Sequence, residues 1–239
     1  MEEKRINKAI SDTGFCSRRE ADSLIEKGRV KINGIVALMG QKVTEADEIM
    51  VDGKIISNKP PVVYIALNKP RGIECTTNQR TPNNIIDFVH HKERIFPIGR
   101  LDKDSEGLIL LTNDGDIVNK ILRARNHHEK EYIVTVNKPI TEEFLRKMGN
   151  GVPILDTVTR KSFVEKLDDT TFRIILTQGL NRQIRRMTEY LGYRVVFLRR
   201  IRIMNIKLDN LKLGSYRSLS PLELLELNEL LADSKKTID

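Results

Sequence analysis

The sequence predicts an α+β protein in two parts: a small front module of two helices and short hairpins, and a larger domain built on a mixed or largely antiparallel sheet. Three observations predict this. The segment Ser57-Asn58-Lys59-Pro60-Pro61 is polar and then proline-locked, the composition of a linker. Ahead of it, helical periodicity gives way to two tight-turn signals. Behind it, strand and helix patterns mix without the regular alternation of a parallel α/β sheet. Domains are therefore expected at 1–58 and 62–233.

In the front module, Ile6, Ala9 and Ile10 share a helical face, and Gly14 stops that helix. Ser17-Arg18-Arg19-Glu20 has the form of a capping box, in which the serine hydroxyl and the glutamate carboxylate each satisfy a free backbone amide. Leu24 and Ile25 are expected on the inner face of this second helix, with Gly28 suited to its carboxyl-terminal cap. Asn33-Gly34 and Asp52-Gly53, each between short apolar runs, signal two hairpins.

In the larger part, strands are expected over 62–68, 107–112, 131–136, 172–177 and 194–202, and helices over 84–89, 116–123, 142–148, 182–191 and 222–232. Ser220-Pro221 opens the last helix with a cap and a proline at its first position. The polar tail 233–239 is expected to fray.

A chain of 239 residues buries enough surface to need no disulfides. Its cysteines, Cys16 and Cys75, have no second thiol at metal-ligand spacing, so buried free thiols are expected. No apolar run approaches the ~20 residues of a membrane span. No apolar segment follows Met-Glu-Glu-Lys-Arg, so a soluble, cytoplasmic protein is expected.

The net charge is +8, and its distribution is more informative than its size. Between Asn181 and Lys207 the chain carries Arg182, Arg185, Arg186, Arg194, Arg199, Arg200, Arg202 and Lys207 against one acid, Glu189. A solvated face mixes both signs, so this one-signed run favours RNA or another polyphosphate.

Four motifs bear on chemistry. Arg18-Arg19 opens a capped helix, with Lys27, Arg29 and Lys31 close behind. Phosphate contacts at a helix amino terminus and an ordinary mixed-charge helix fit this pattern equally well. Asp102-x-Asp104-x-Glu106-Gly107 looks like the opening of a calcium loop, but position 12 is Asn113, where such a loop needs a bidentate Glu. What remains is either a solvated acidic turn or a carboxylate, Asp102, held ionised between Arg100 and Lys103 for use as nucleophile or base. In Asn181-Arg182-Gln183-Ile184-Arg185-Arg186-Met187, Ile184 and Met187 share a face. The arginines then make either a basic helix on RNA or one inward partner for a carboxylate, and spacing does not separate the two. The doublets His90-His91 and His127-His128 diverge on helix or strand and make no metal pair by themselves.

The front module from 5 to 57, through Gly14-Phe15-Cys16-Ser17-Arg18-Arg19-Glu20-Ala21-Asp22 and Gly28-Arg29-Val30-Lys31-Ile32-Asn33-Gly34, resembles the RNA-binding module named after ribosomal protein S4. Four later stretches, Ala66-Leu67-Asn68-Lys69-Pro70-Arg71-Gly72, Gly99-Arg100-Leu101-Asp102, Lys130-Glu131-Tyr132 and 181–187, resemble the ribosomal pseudouridine synthases typified by the small-subunit enzyme A. The resemblance covers essentially the whole chain, although some members carry a long basic extension that this sequence lacks.

It implies an S4-like domain followed by a pseudouridine synthase catalytic domain, acting without metal or cofactor. Asp102 would be the catalytic carboxylate, Tyr132 would stack on the flipped uracil, and Arg185 would pair with Asp102. Arg100 would fill the space left by the base or hold its phosphate, and Asn181, Arg182 and Arg186 would contact RNA beside the front-module cations. The expected substrate is a uridine of large-subunit (23S) rRNA near the peptidyl-transferase region, with a tRNA anticodon uridine as a second, and the expected state is a monomer. The rival reading is a non-catalytic S4-domain assembly factor, which leaves Asp102, Tyr132 and Arg185 without a task. A metal-dependent nuclease would need a carboxylate or His cluster that the sequence does not offer.

Overall fold

The first turn of helix sets the front core, because Ile6 and Ile10 stand one turn apart and are both fully buried. The computed structural model describes residues 3–56, 59–122 and 127–232. Part of the expected linker (Ser57 and Asn58), Arg123 and the tail 233–239 lie outside the described residues. The chain divides into two compact units, Met1–Val63 with Lys92–Arg94 and Asn113–Gly115, and the remainder.

In the first unit, β1 (Lys4–Arg5) leads into α1 (Ile6–Asp12), followed by α2 (Arg18–Glu26). The capping box forms as expected: Glu20 N donates to Ser17 Oγ at 3.2 Å, and Ser17 N donates to Glu20 Oε2 at 2.7 Å. The inner face of α2 differs by one position from expectation. Ala21 and Ile25 are buried, while Leu24 packs only at the rim of the same cluster, because residues one full turn apart share a face and adjacent ones diverge.

The short strands β2 (Val30–Ile32), β3 (Ile35–Val36), β4 (Lys42–Val43), β5 (Ile49–Val51) and β6 (Lys54–Ile55) complete the unit. Four of them pair in the order β3-β2-β5-β6, and β4 pairs with β1. At both expected turns each residue has positive φ, +49° and +83° at Asn33-Gly34 and +49° and +77° at Asp52-Gly53. A right-twisted two-residue hairpin requires this.

The second unit runs β7 (Tyr64–Lys69), α3 (Ile85–Val89), β8 (Phe96–Pro97), β9 (Glu106–Thr112), α4 (Gly115–Leu122), β10 (Lys130–Val136), α5 (Glu142–Asn150), β11 (Pro153–Ile154), β12 (Thr157–Val158), β13 (Phe163–Lys166), β14 (Thr171–Leu176), α6 (Gln183–Tyr190), β15 (Val195–Ile203), β16 (Ile206–Lys207), β17 (Tyr216–Ser218) and α7 (Pro221–Leu230). The main sheet has the order β13-β14-β10-β15-β9-β7-β17, with β8 added on β9 and β16 on β15. It is a mixed sheet: β9 and β15 pair in parallel, and its other pairings are antiparallel.

Two irregularities position the site. At the parallel junction Gly107 lies opposite Arg200 with φ +106°, and any Cβ there would collide with the Arg200 carbonyl. Only glycine lets the two backbones approach so closely. Between β10 and β15 the register shifts at Glu131/Tyr132, so Tyr132 pairs with Arg200 rather than Ile201. Such bulges re-aim side chains beside active sites.

Candidate active site

A cleft of about 870 Å³ opens in the second unit, and Asp102, Lys130, Tyr132, Arg182, Arg185 and Arg200 are among its lining residues. Asp102 reaches it from the loop between β8 and β9. Leu101 anchors that loop: it is buried, and its amide donates to Cys75 Sγ at 3.4 Å. Ser105 N then donates to the Asp102 carbonyl at 3.0 Å, closing a turn, and Gly72 N donates to the Lys103 carbonyl at 2.9 Å. The segment after β7 and the Asp102 turn are thus tied together.

Arg185, on α6, clamps this turn. Its Nη2 donates to Ser105 Oγ at 3.0 Å and to the Asp104 carbonyl at 3.4 Å, while its Nε stands 3.5 Å from Asp102 Oδ2. Arg182 Nη1 stands 3.7 Å from the same oxygen. Both separations exceed ordinary hydrogen-bond lengths, so the carboxylate is held by charge and stays open to the cleft. The Asp102 side chain is 31% exposed and that of Arg185 only 11%. Arg182 and Arg185 thus both face the carboxylate, and Arg185 is the more buried of the two.

Tyr132 is buried, only 9% exposed, and lines the cleft from β10. Arg100 and Arg182 line it as exposed residues, beside Asn181. Arg186 lies outside it and folds back, donating from Nε to the Asn181 carbonyl at 3.1 Å and from Nη2 to Asn181 Oδ1 at 3.3 Å. In the first unit Arg18, Arg19, Lys27, Arg29 and Lys31 are all exposed. Arg29 is engaged within that unit, donating from Nε to Asp52 Oδ1 at 2.7 Å.

The calcium-like spacing dissolves in three dimensions. Asp102 faces Arg182 and Arg185, whereas Glu106 faces Arg71 at 3.9 Å and Arg199 at 3.8 Å. The one-signed run 181–207 needs a correction as well, because several of its cations serve the fold. Arg199 pairs with Glu106, and Arg202 pairs with Glu131 at 2.6 Å and Glu129 at 2.9 Å. Arg200 is buried, donating from Nε to the Leu108 carbonyl at 2.7 Å. Neighbouring strands supply the acids that the run itself lacks. Cys16 and Cys75 are buried free thiols, as expected, and burial pushes the Cys75 thiol up.

Three buried cations stand near Asp102, none of them singled out by its own position in the sequence. Lys69 is fully buried and donates to the Pro70 and Ile73 carbonyls, both at 2.9 Å; burial holds its pKa below the ordinary lysine value. Arg200 is the second. Lys130 is the third, and burial followed by the nearby Arg200 brings it down from 10.5 to about 8.

The sign of the Lys130 effect on stability follows from linkage. The folded state releases this proton near 8 and the unfolded chain near 10.5, so between those values the unfolded chain binds more protons and stability rises with pH. Below about 8 the buried ammonium costs stability, on the order of 3 kcal/mol. Lys130→Met should therefore raise the melting temperature at pH 7 and remove the gain between pH 8 and 10. Thermal melts across that range check this; a variant that melts lower at pH 7 with the slope retained contradicts it.

Residues 63–190 match the family model described as RNA pseudouridylate synthase, and residues 4–49 match the S4 domain. The chain is similar to the Dual-specificity RNA pseudouridine synthase RluF of Salmonella typhi, 58% identical over 232 residues that span 96% of this chain and 80% of that one. It is also similar to the Ribosomal large subunit pseudouridine synthase B of Bacillus subtilis (strain 168), 36% identical over 236 residues, 95% of this chain and 96% of that one. Among solved structures it resembles one titled "Crystal structure of pseudouridylate synthase", with TM-score 0.69 and 30% identity over 93% of this chain and 99% of the other. The segment that carries Asp102, Tyr132 and Arg185 thus belongs to an enzyme family, which favours catalysis over a purely RNA-binding role. The chain belongs to the RNA pseudouridylate synthase family, as an S4 domain followed by a catalytic domain that converts uridine in RNA to pseudouridine.

Proposed function

We propose that Asp102 is the catalytic carboxylate, that Tyr132 stacks on the flipped uracil, and that Arg185 positions Asp102. The observation that carries this reading is the convergence of these three side chains on one cleft, with Arg185 bonded to the turn that presents Asp102. The target base must leave its stack, which costs a few kcal/mol. The C1′–N1 bond is then broken, the uracil is turned, and C5 is joined to C1′. The product is an isomer of the substrate, so the reaction needs no redox partner, and the reading includes no cofactor.

The substrates in this reading are a uridine of large-subunit (23S) rRNA and a tRNA anticodon uridine. Relatives named as dual-specificity RNA pseudouridine synthases support two RNA targets. One chain supplies Asp102, Tyr132 and Arg185, so a monomer suffices, and rRNA and tRNA substrates fit a cytoplasmic enzyme. Mapping pseudouridine in rRNA and tRNA from cells with and without the protein tests the reading. Loss of a site in each RNA is the expected result, and an unchanged map overturns it. Purified protein that binds RNA and never modifies it would restore the assembly-factor alternative.

The RNA anchor in this reading is the front domain, taken as 1–58 ahead of a catalytic domain at 62–233. Its exposed Arg18, Arg19, Lys27 and Lys31 touch phosphate, while Arg29 is partly occupied by Asp52. Replacing those four with serine should leave the fold intact and weaken RNA binding across sequences. The salt slope should flatten by about one unit for each lost phosphate contact. Filter binding between low and high salt reads this; an unchanged slope removes the front domain as anchor.

A further inference from the structure

Two buried cations face the Asp102 cleft with donors that the protein leaves open. Lys130 is 9% exposed, and its Nζ reaches the His128 carbonyl at 3.4 Å, the outer edge of hydrogen-bond range. Arg200 is 3% exposed. Its Nη2 is buried with no hydrogen-bond partner, and its guanidinium carbon lies 5.9 Å from the centroid of the Tyr132 ring. Among the described residues no carboxylate pairs with either cation. The charged and titratable groups nearest Lys130 are Arg200 on β15 and His128 just ahead of its own strand; Glu74, Cys75, Arg100, Asp102, Lys103, Arg182 and Arg185 line the same cleft. Buried charge without a partner costs stability. Its presence beside the reacting site therefore points to an anion that arrives with the substrate.

The reaction itself generates one. When C1′–N1 breaks, the electron pair leaves with N1 and spreads over N1, O2 and O4 of the uracil, while the Asp102 carboxylate meets the electron-poor C1′. If Asp102 adds to C6 instead, the C5–C6 pair moves toward O4. Both routes put negative charge on the pyrimidine oxygens. That charge disappears when C5 bonds to C1′ and Asp102 is released as a carboxylate, displaced from C1′ on the first route or expelled from C6 on the second; C5 gives up its proton and N1 gains one, so no atom or electron is gained overall.

We propose that Lys130 and Arg200 form the anion site for the detached uracil, donating to its oxygens as the charge develops. This inference rests on the reading of Asp102 and Tyr132 given above. Donors fixed in advance where charge appears act on the rate rather than on ground-state binding.

The test is single-turnover pseudouridine formation by the full chain on an rRNA fragment carrying the target uridine, with RNA affinity measured in parallel. Lys130→Met should slow the bound complex roughly 10²-fold, with RNA affinity and salt slope unchanged. Lys130→Arg should recover most of the rate. It should also hold that rate to higher pH than the wild type, whose rate falls once the ammonium loses its proton. Arg200→Lys, which keeps a charge but loses the open Nη2, should also slow the bound complex, and it decides the matter if Lys130→Met does not fold. Wild-type rates in the folded variants overturn the proposal. So does a loss of RNA affinity and salt slope with the bound rate intact, since that would make the pair a phosphate contact. Asp102→Asn run alongside separates the two failures. If it is inactive while Lys130→Met and Arg200→Lys turn over normally, only the anion site falls; if it is active, the reading beneath it falls too.

Discussion

Asp102→Asn is expected to give a folded protein that binds its RNA and forms no detectable pseudouridine. The substitution keeps size and most hydrogen bonding, and Asp102 contributes no buried apolar surface whose loss would unfold the loop. The turn itself is closed through the backbone, by Ser105 N on the Asp102 carbonyl and Gly72 N on the Lys103 carbonyl. What the variant loses is the ionised oxygen that faces the cleft, and turnover should fall roughly 10⁴-fold or more, the scale seen when a reacting group is removed. Asp104→Asn is the matched control: its backbone carbonyl accepts from Arg185, and an amide side chain leaves that bond in place, so substantial activity should remain. Carbodiimide labelling with primer extension, without added metal or nucleotide, reads both variants. Normal modification by Asp102→Asn would end the proposed mechanism.

Arg185→Met should lower turnover by roughly 10²-fold or more while costing little RNA affinity. The side chain is largely buried and spends its donors on Ser105, the Asp104 carbonyl and the Asp102 carboxylate. Removing it frees the turn and takes away the nearest cation. Arg186→Met makes the contrast, because Arg186 is bonded to Asn181 and stands outside the cleft. Its loss should weaken RNA binding modestly and leave the bound rate near normal. Arg182→Met should fall between them, since Arg182 is exposed and also 3.7 Å from Asp102. Measuring bound rate and affinity separately ranks the three. Identical behaviour would reduce α6 to a basic surface.

The sequence by itself determined the local elements. The capping box at Ser17, the two positive-φ hairpin turns, the helix of Gln183–Tyr190 and the apolar strands Tyr64–Lys69 and Glu106–Thr112 all follow from side-chain chemistry within a few residues. Caps, turns and periodic burial are short-range effects. The candidate carboxylate was also legible, through the motifs around it. What a short window does not carry was decided by tertiary structure.

The edge strands Phe163–Lys166 and Tyr216–Ser218 have little burial pattern of their own and exist through pairing with Thr171–Leu176 and Tyr64–Lys69. The roles of Arg182, Arg185, Arg199, Arg200 and Arg202 were likewise invisible as a run of like charges. Strand register brings Glu106, Glu129 and Glu131 to some of them, buries one against the Leu108 carbonyl, and leaves the inward side of α6 to face Asp102. Charge along a chain says which cations exist. Which of them meets RNA, a glutamate or the reacting base depends on contacts between residues tens of positions apart, and these exist only once the sheet has closed around Gly107 and the bulge at Tyr132.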